Sequence, residues 1–176
     1  LRSGIYAAKL VSDQHQDYLP FFVRPKKGTT SAEIVFLVPT FSYLAYANFR
    51  MLTSADARER AFKRLGENVH SPETLSPEDE YISHHNLNSL YDLHSDGTGV
   101  CYSSYLRPIL NMRPNALLPL LDRGRGAPHQ LSADLHLTDW LETMEHPFDV
   151  ITDHDLHAEG KTILDPYKVV ITGSHP

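Results

Sequence analysis

The stretch IVFLVPT, residues 34–40, is a continuous apolar run without polar alternation. A strand with one wet face would alternate, whereas a strand buried on both faces, as in a parallel sheet, has no reason to. Two later stretches, FDVIT at 148–152 and YKVVITG at 167–173, are the other best candidate strands. Helical patterns fall between the candidate strands, so the expected class is α/β, a parallel sheet with flanking helices.

Working outward, residues 41–52, FSYLAYANFRML, follow the first strand directly. Ligands of open α/β sheets bind past the carboxyl ends of strands, so the tyrosines here are placed to face a crevice. SADARERAFKRLGE, 54–67, predicts a helix capped by Ser54 or Asp56 and stopped at Gly66, with Ala57, Ala61, Phe62 and Leu65 near helical spacing. Residues 68–100 are polar and aperiodic, which inside a domain suggests a functional loop. VCYSSYLRPILNMRP, 100–114, reads as strand at first, and 122–130, DRGRGAPHQ, as exposed loop. LSADLHLTDWLETMEH, 131–146, predicts a helix with Ser132 as cap and Leu135, Leu137, Trp140, Leu141 and Met144 on the inner face. The strand at 148 should end by delivering Asp153, His154 and Asp155. Upstream, GIYAAKLV (4–11) and YLPFFVRP (18–25) form a hairpin-like pair, with Pro20 favouring an edge. A boundary is expected in the turn-prone KKGTTSAE, 26–33.

The chain has 176 residues, enough for one domain with a real core, and its 41% apolar and 22% charged content is that of an ordinary soluble globular protein. The net charge of −6, with no basic cluster longer than RPKK at 24–27, argues against a nucleic-acid partner. No apolar run approaches the roughly 18–20 residues of a membrane span, and LRSGIYAAKL at the start lacks a signal-peptide core. The single cysteine, Cys101, rules out an intrachain disulfide and fits a reducing, cytoplasmic setting. With no start methionine, and with an end immediately after SHP, the chain is expected to be an excised portion of a longer polypeptide.

The 11 histidines invite a zinc reading, but there is no HExxH pair and no second cysteine, and the His154/His157 spacing is common by chance. DGTG and RGRG lack the phosphate-loop patterns and read as turns. No G-x-S-x-G elbow occurs, and Cys101, inside a strand-like stretch, reads as a small core residue rather than a nucleophile. Tyr43 and Tyr46 follow the first strand and Tyr91 lies in the long loop, so two phenols could converge on one crevice. Packing with one hydrogen bond is the ordinary role of a tyrosine, and the residues alone leave both readings open.

Four blocks, IVFLVPTFSYLAYANFR, NSLYDLHSDGTGVCYSS, FDVITDHDLHAEG and YKVVITGSHP, occur in the same order in the large subunit of N,N-dimethylformamidase, and over nearly its whole length the chain resembles that family. The resemblance implies hydrolysis of N,N-dimethylformamide to dimethylamine and formate by metal-activated water. It implies one iron ion, expected as Fe3+, held by two tyrosines and a glutamate, and a class I glutamine amidotransferase-like α/β layer beside β-rich domains. It further implies a small helical partner subunit, hence a hetero-oligomer. Residues 1–27 would be the tail of a preceding β-rich domain and 33–176 the N-terminal part of the amidotransferase-like domain, incomplete at its C-terminus. Carried over by motif, the iron ligands are Tyr46 of LAYAN and Tyr91 of NSLYD, with Tyr43 the rival for the first. The third ligand is expected just past Pro176, and His175 becomes the catalytic proton-transfer group. Asn48, Asn86 and Asn88 could orient substrate or cap turns.

Two rivals stand beside this reading: a homologue acting on another small amide, since fold does not fix substrate, and a non-catalytic amidotransferase-like binding module. If strands of the sheet lie beyond residue 176, strand 167–172 has an open edge and the isolated piece should be poorly soluble.

Overall fold

The computed structural model describes residues 1–49, 63, 76–94, 96–118 and 126–175. Among these the elements run β1 (Gly4–Ser12), β2 (His15–Val23), β3 (Ile34–Val38), α1 (Thr40–Tyr46), α2 (Pro77–His84), β4 (Leu117–Leu118), β5 (Ala127–Pro128), α3 (Leu131–Thr143), β6 (Phe148–Thr152), α4 (Asp153–Glu159), a 3-10 turn (Lys161–Ile163) and β7 (Val169–Thr172). They fall into two units, Leu1–Ser42 with Gln130–Pro176, and Tyr43–His129. Apart from Lys63, the helix expected at 54–67 lies outside the described residues.

The first unit is built on a parallel sheet ordered β6-β3-β7, with Ile34 opposite Phe148 on one side and Val169 on the other. The central position of β3 explains its unbroken apolar sequence: Val35, Phe36 and Val38 are fully buried. The chain is thus mixed α/β with a parallel sheet and helices, the class expected. β1 and β2 pair antiparallel around a turn in which Asp13 has φ 47°. The hairpin is tied to this unit: Ser3 Oγ donates to the Val23 carbonyl (3.0 Å) and accepts from the Val150 N–H (2.7 Å), so a side chain satisfies a backbone donor of β6. Arg24, just past β2, pairs with Asp155 at 2.8 Å and Glu159 at 2.6 Å, both on α4.

Several expectations are corrected. Ser132 does not cap α3; it is buried inside the helix, and the N-cap is Gln130 at φ 56°, ψ −125°, with no side-chain capping bond. The buried face runs Leu131, Asp134, Thr138, Leu141, while Trp140 and Met144 are about half exposed. A hydrophobic pattern assigns Asp134 to solvent, but its carboxylate is needed inside. Within 68–100, read as loop, α2 forms: Ser76 accepts from the Asp79 N–H, Pro77 opens the helix and three acids fill the first turn. Only Ile82 is buried there, so the cap signals had no apolar periodicity to support them. The start of 100–114 forms no strand; Cys101 is exposed rather than core, and Tyr102 and Leu106 face solvent. Within 126–130, read as loop, β5 pairs with β4 and Gln130 is buried. No helix among the described residues is long and apolar enough to cross a membrane.

Candidate functional site

The second unit opens with the end of α1, which carries Tyr43 and Tyr46. A helix leaves its last carbonyls without intrahelical partners, and here each finds one. Arg107 donates to the carbonyls of Leu44 (3.3 Å) and Ala47 (3.1 Å), the Leu90 N–H to that of Ala45 (3.1 Å), and the Asn111 side chain to that of Tyr46 (3.1 Å). The helix stops at Asn48, buried at φ 62°, a left-handed conformation that asparagine tolerates better than most residues. Asn48 also donates to the Pro108 carbonyl (2.7 Å) and accepts from the Leu110 N–H (2.9 Å). Of its two possible roles, capping and bracing is the one seen.

The Leu90 bond to Ala45 sets NSLYD against α1. That motif folds as a tight turn: Asp92 accepts from the Ser89 N–H (2.8 Å) and Ser89 Oγ from the Tyr91 N–H (3.1 Å). Consequently Tyr46 and Tyr91 meet, with ring centroids 4.4 Å apart and planes at 35°. Phe49 packs edge-on to both, 5.4 Å from Tyr46 and 5.9 Å from Tyr91, and His129 lies 5.1 Å from Tyr46. Burial, then the hydrogen bond with Tyr91 and its charge, push the Tyr46 phenol above its ordinary pKa. Tyr43, one turn back, is 5% exposed.

Two hydrogen-bonded phenols are hard oxygen donors that become anionic on ionisation, a set suited to a highly charged iron. Among the described residues no group of three His, Cys, Asp or Glu could hold a metal. Phe49, His129, Arg107 and Asn111 were not singled out from sequence. Their roles depend on contacts with residues far away along the chain, which no local pattern encodes.

His175 lies in the first unit, past β7, at φ 53°, and its carbonyl accepts from Ser42 Oγ. Asp153 and His154 sit at the carboxyl end of β6. Asp153 accepts from the Phe41 N–H (3.2 Å), and His154 Nδ1 shares a hydrogen bond of 2.7 Å with Thr40 Oγ1, fastening the turn after β6 to the turn after β3. His154 and His157 both pack on Phe41, at 4.5 and 5.9 Å.

Residues 1–176 match the family described as N,N-dimethylformamidase beta subunit-like, C-terminal. The N,N-dimethylformamidase beta subunit of Alcaligenes sp is 42% identical over 180 residues, taking in 100% of this chain and 22% of that protein. The N,N-dimethylformamidase beta subunit of Paracoccus aminophilus is 43% identical over 180 residues with the same coverage, 100% and 22%. The chain therefore spans about a fifth of the length of these relatives. Matched from its first residue to its last, the chain belongs to the N,N-dimethylformamidase beta subunit-like, C-terminal family.

Proposed function

We propose that this chain supplies part of the active site of an iron-dependent amidohydrolase that cleaves N,N-dimethylformamide, or a similar small formamide or amide, to the amine and the acid. The observation that carries the proposal is the convergence of Tyr46 and Tyr91, two phenols held together by backbone bonds that fix both carriers. The names of the relatives support the substrate. The same ring contact favours Tyr46 over Tyr43 as the first ligand, since Tyr43 is buried one turn away.

Tyr46 and Tyr91 would hold mononuclear iron, taken to be Fe3+, as phenolates. Bound there, iron supplies Lewis acidity toward an amide carbonyl and toward water. Each tyrosine must give up its proton on loading, and Phe49 and His129 wall the rings so that the phenols keep their aim. His175 is assigned the proton transfer: an imidazole can take a proton from the attacking water and return it to the amine nitrogen, which must be protonated to leave.

The domain reading belongs to this proposal: residues 1–27 as the tail of a β-rich domain, and 33–176 as the N-terminal part of a class I glutamine amidotransferase-like domain, for which the β6-β3-β7 parallel sheet is the support. So do a small helical partner subunit in a hetero-oligomer, consistent with relatives named as beta subunits, and a cytoplasmic setting, consistent with a lone cysteine.

The test uses the full-length polypeptide carrying this chain, purified with its partner. Bound metal, the visible spectrum and dimethylformamide hydrolysis are measured for Tyr46→Phe, Tyr91→Phe, Tyr43→Phe and the unmodified protein. A tyrosinate charge-transfer band that weakens with activity in the first two variants and survives in the third is the expected result. Colourless, metal-free protein indifferent to all three changes would overturn the reading and favour a binding module.

A further inference from the structure

We propose that Asp134, together with Ser42, is a positioning device for the loop that carries His175. The inference rests on the proposed function, because it takes His175 to be the proton-transfer group. The loop, Gly173 to His175, leaves the carboxyl end of β7 and passes the first turn of α3. There Asp134, 4% exposed, accepts a hydrogen bond from the Ser174 N–H at 2.6 Å. On the far side Ser42 Oγ donates to the His175 carbonyl. The two bonds bracket Ser174 and His175, so the backbone angles that aim the imidazole lie between fixed ends.

Two further observations show that this approach is built rather than incidental. A methyl carbon on Gly173 would collide with Oδ2 of Asp134 and lie 2.6 Å from its Cγ and 2.9 Å from Cδ of Pro39, so only glycine lets the loop come this close. His175 itself adopts φ 53°, a left-handed conformation that a non-glycine residue keeps only where its surroundings impose it. The Ser174 hydroxyl is buried without a hydrogen-bond partner among the described residues, so the loop is not arranged for its own best bonding. An acidic side chain turned inward on a helix face is accounted for by the loop it holds.

The test is made on the full-length polypeptide with its partner subunit. Hydrogen exchange of the peptide covering residues 173–176 is measured on metal-free protein, and kcat, KM and the pH profile of kcat are measured on the loaded enzyme. Ser42→Ala removes one hydroxyl and is the mildest variant; Asp134→Ala removes the other anchor, and Asp134→Asn keeps an acceptor oxygen. Exchange in the loop should accelerate about tenfold or more in Asp134→Ala and Ser42→Ala while β3 stays protected. kcat should fall on the order of a hundredfold in the former and less in the latter, with KM changed much less, because misplacing a reacting group costs the chemical step. Asp134→Asn should recover most of the protection and rate, and Gly173→Ala should reproduce the loss from the other partner. If Asp134→Ala fails to fold, Ser42→Ala and Asp134→Asn still decide. Unchanged exchange in Ser42→Ala, or faster exchange with unchanged kcat and pH profile, overturns the inference. Tyr46→Phe and Tyr91→Phe run in parallel separate the two ideas: loss of the tyrosinate band there with an indifferent loop sinks the loop proposal alone.

Discussion

Asp149 shows what a single residue can hold and what a sequence conceals about it. It lies on β6, fully buried, and its carboxylate accepts from three donors: the Ser31 N–H at 2.8 Å, Ser31 Oγ and the Tyr167 hydroxyl at 3.0 Å. Burial first, and then the hydrogen bond and charge of Asp149, hold the Tyr167 phenol well above its ordinary value. A raised acid binds its proton more tightly in the folded than in the unfolded chain, so its contribution is complete below about pH 10 and is lost as pH rises further. Tyr167→Phe should therefore cost about 1–3 kcal/mol near neutrality, by leaving a buried acceptor short of a donor. It should also flatten the alkaline fall in stability, because the group that titrates is gone. Thermal unfolding of both proteins at pH 7 and about pH 10.5 checks this; parallel losses in the two proteins across that range would contradict it. Nothing in FDVIT marks its aspartate as interior, just as nothing in VCYSS marks Cys101 as exposed. The burial of Asp149 depends on partners distant in sequence, whereas Tyr46 and Tyr91 were singled out through the motifs LAYAN and NSLYD.

Elements were readable where burial is symmetric and obscure where it is one-sided and polar. β3, and β6 apart from Asp149, are largely apolar because both faces are covered, and for their apolar residues no single partner had to be known. α3 was found from its periodicity, but its inner face was misread because Asp134 and Thr138 lie on it. α4 is the case in which local chemistry is sufficient. Thr152 caps it by accepting from the Asp155 N–H (3.2 Å), and Asp155 accepts in return from the Thr152 N–H (3.0 Å). Burial would raise the Asp155 pKa, but hydrogen bonds from Thr152 and Arg24 outweigh it and hold the carboxyl below its ordinary value. A depressed carboxylate stabilises above about pH 4 and loses that contribution as pH falls through its folded value. Thr152→Ala should cost about 1 kcal/mol and Thr152→Ser much less. Hydrogen exchange at the α4 amides is the measurement, and equal exchange in the two variants would show that the hydroxyl does not carry the cap.

At the scale of the whole molecule, the two outer edges of the parallel sheet differ. Beside β6 the hairpin is tied in, and Ser3 satisfies the Val150 N–H. Beside β7 no strand among the described residues pairs with the outer edge, and Val169 and Val170 are 46% and 43% exposed. Unpaired backbone donors and acceptors next to exposed β-branched side chains form a template for another strand, which natural edges usually blunt with charge or proline. The expectation drawn from YKVVITG thus acquires a location. As a separate 176-residue polypeptide, the chain should associate with itself along β7, with an apparent mass in sedimentation that rises with concentration across the micromolar range. Val170→Lys places a charge on this strand, opposite Val35 of β3, and should shift the protein toward monomer while its circular dichroism stays that of the parent. Monodisperse parent protein that unfolds cooperatively would remove β7 as the cause. Association that persists undiminished in Val170→Lys would move the sticky surface elsewhere, with the exposed Tyr102, Tyr105 and Leu106 segment the next place to put a charge.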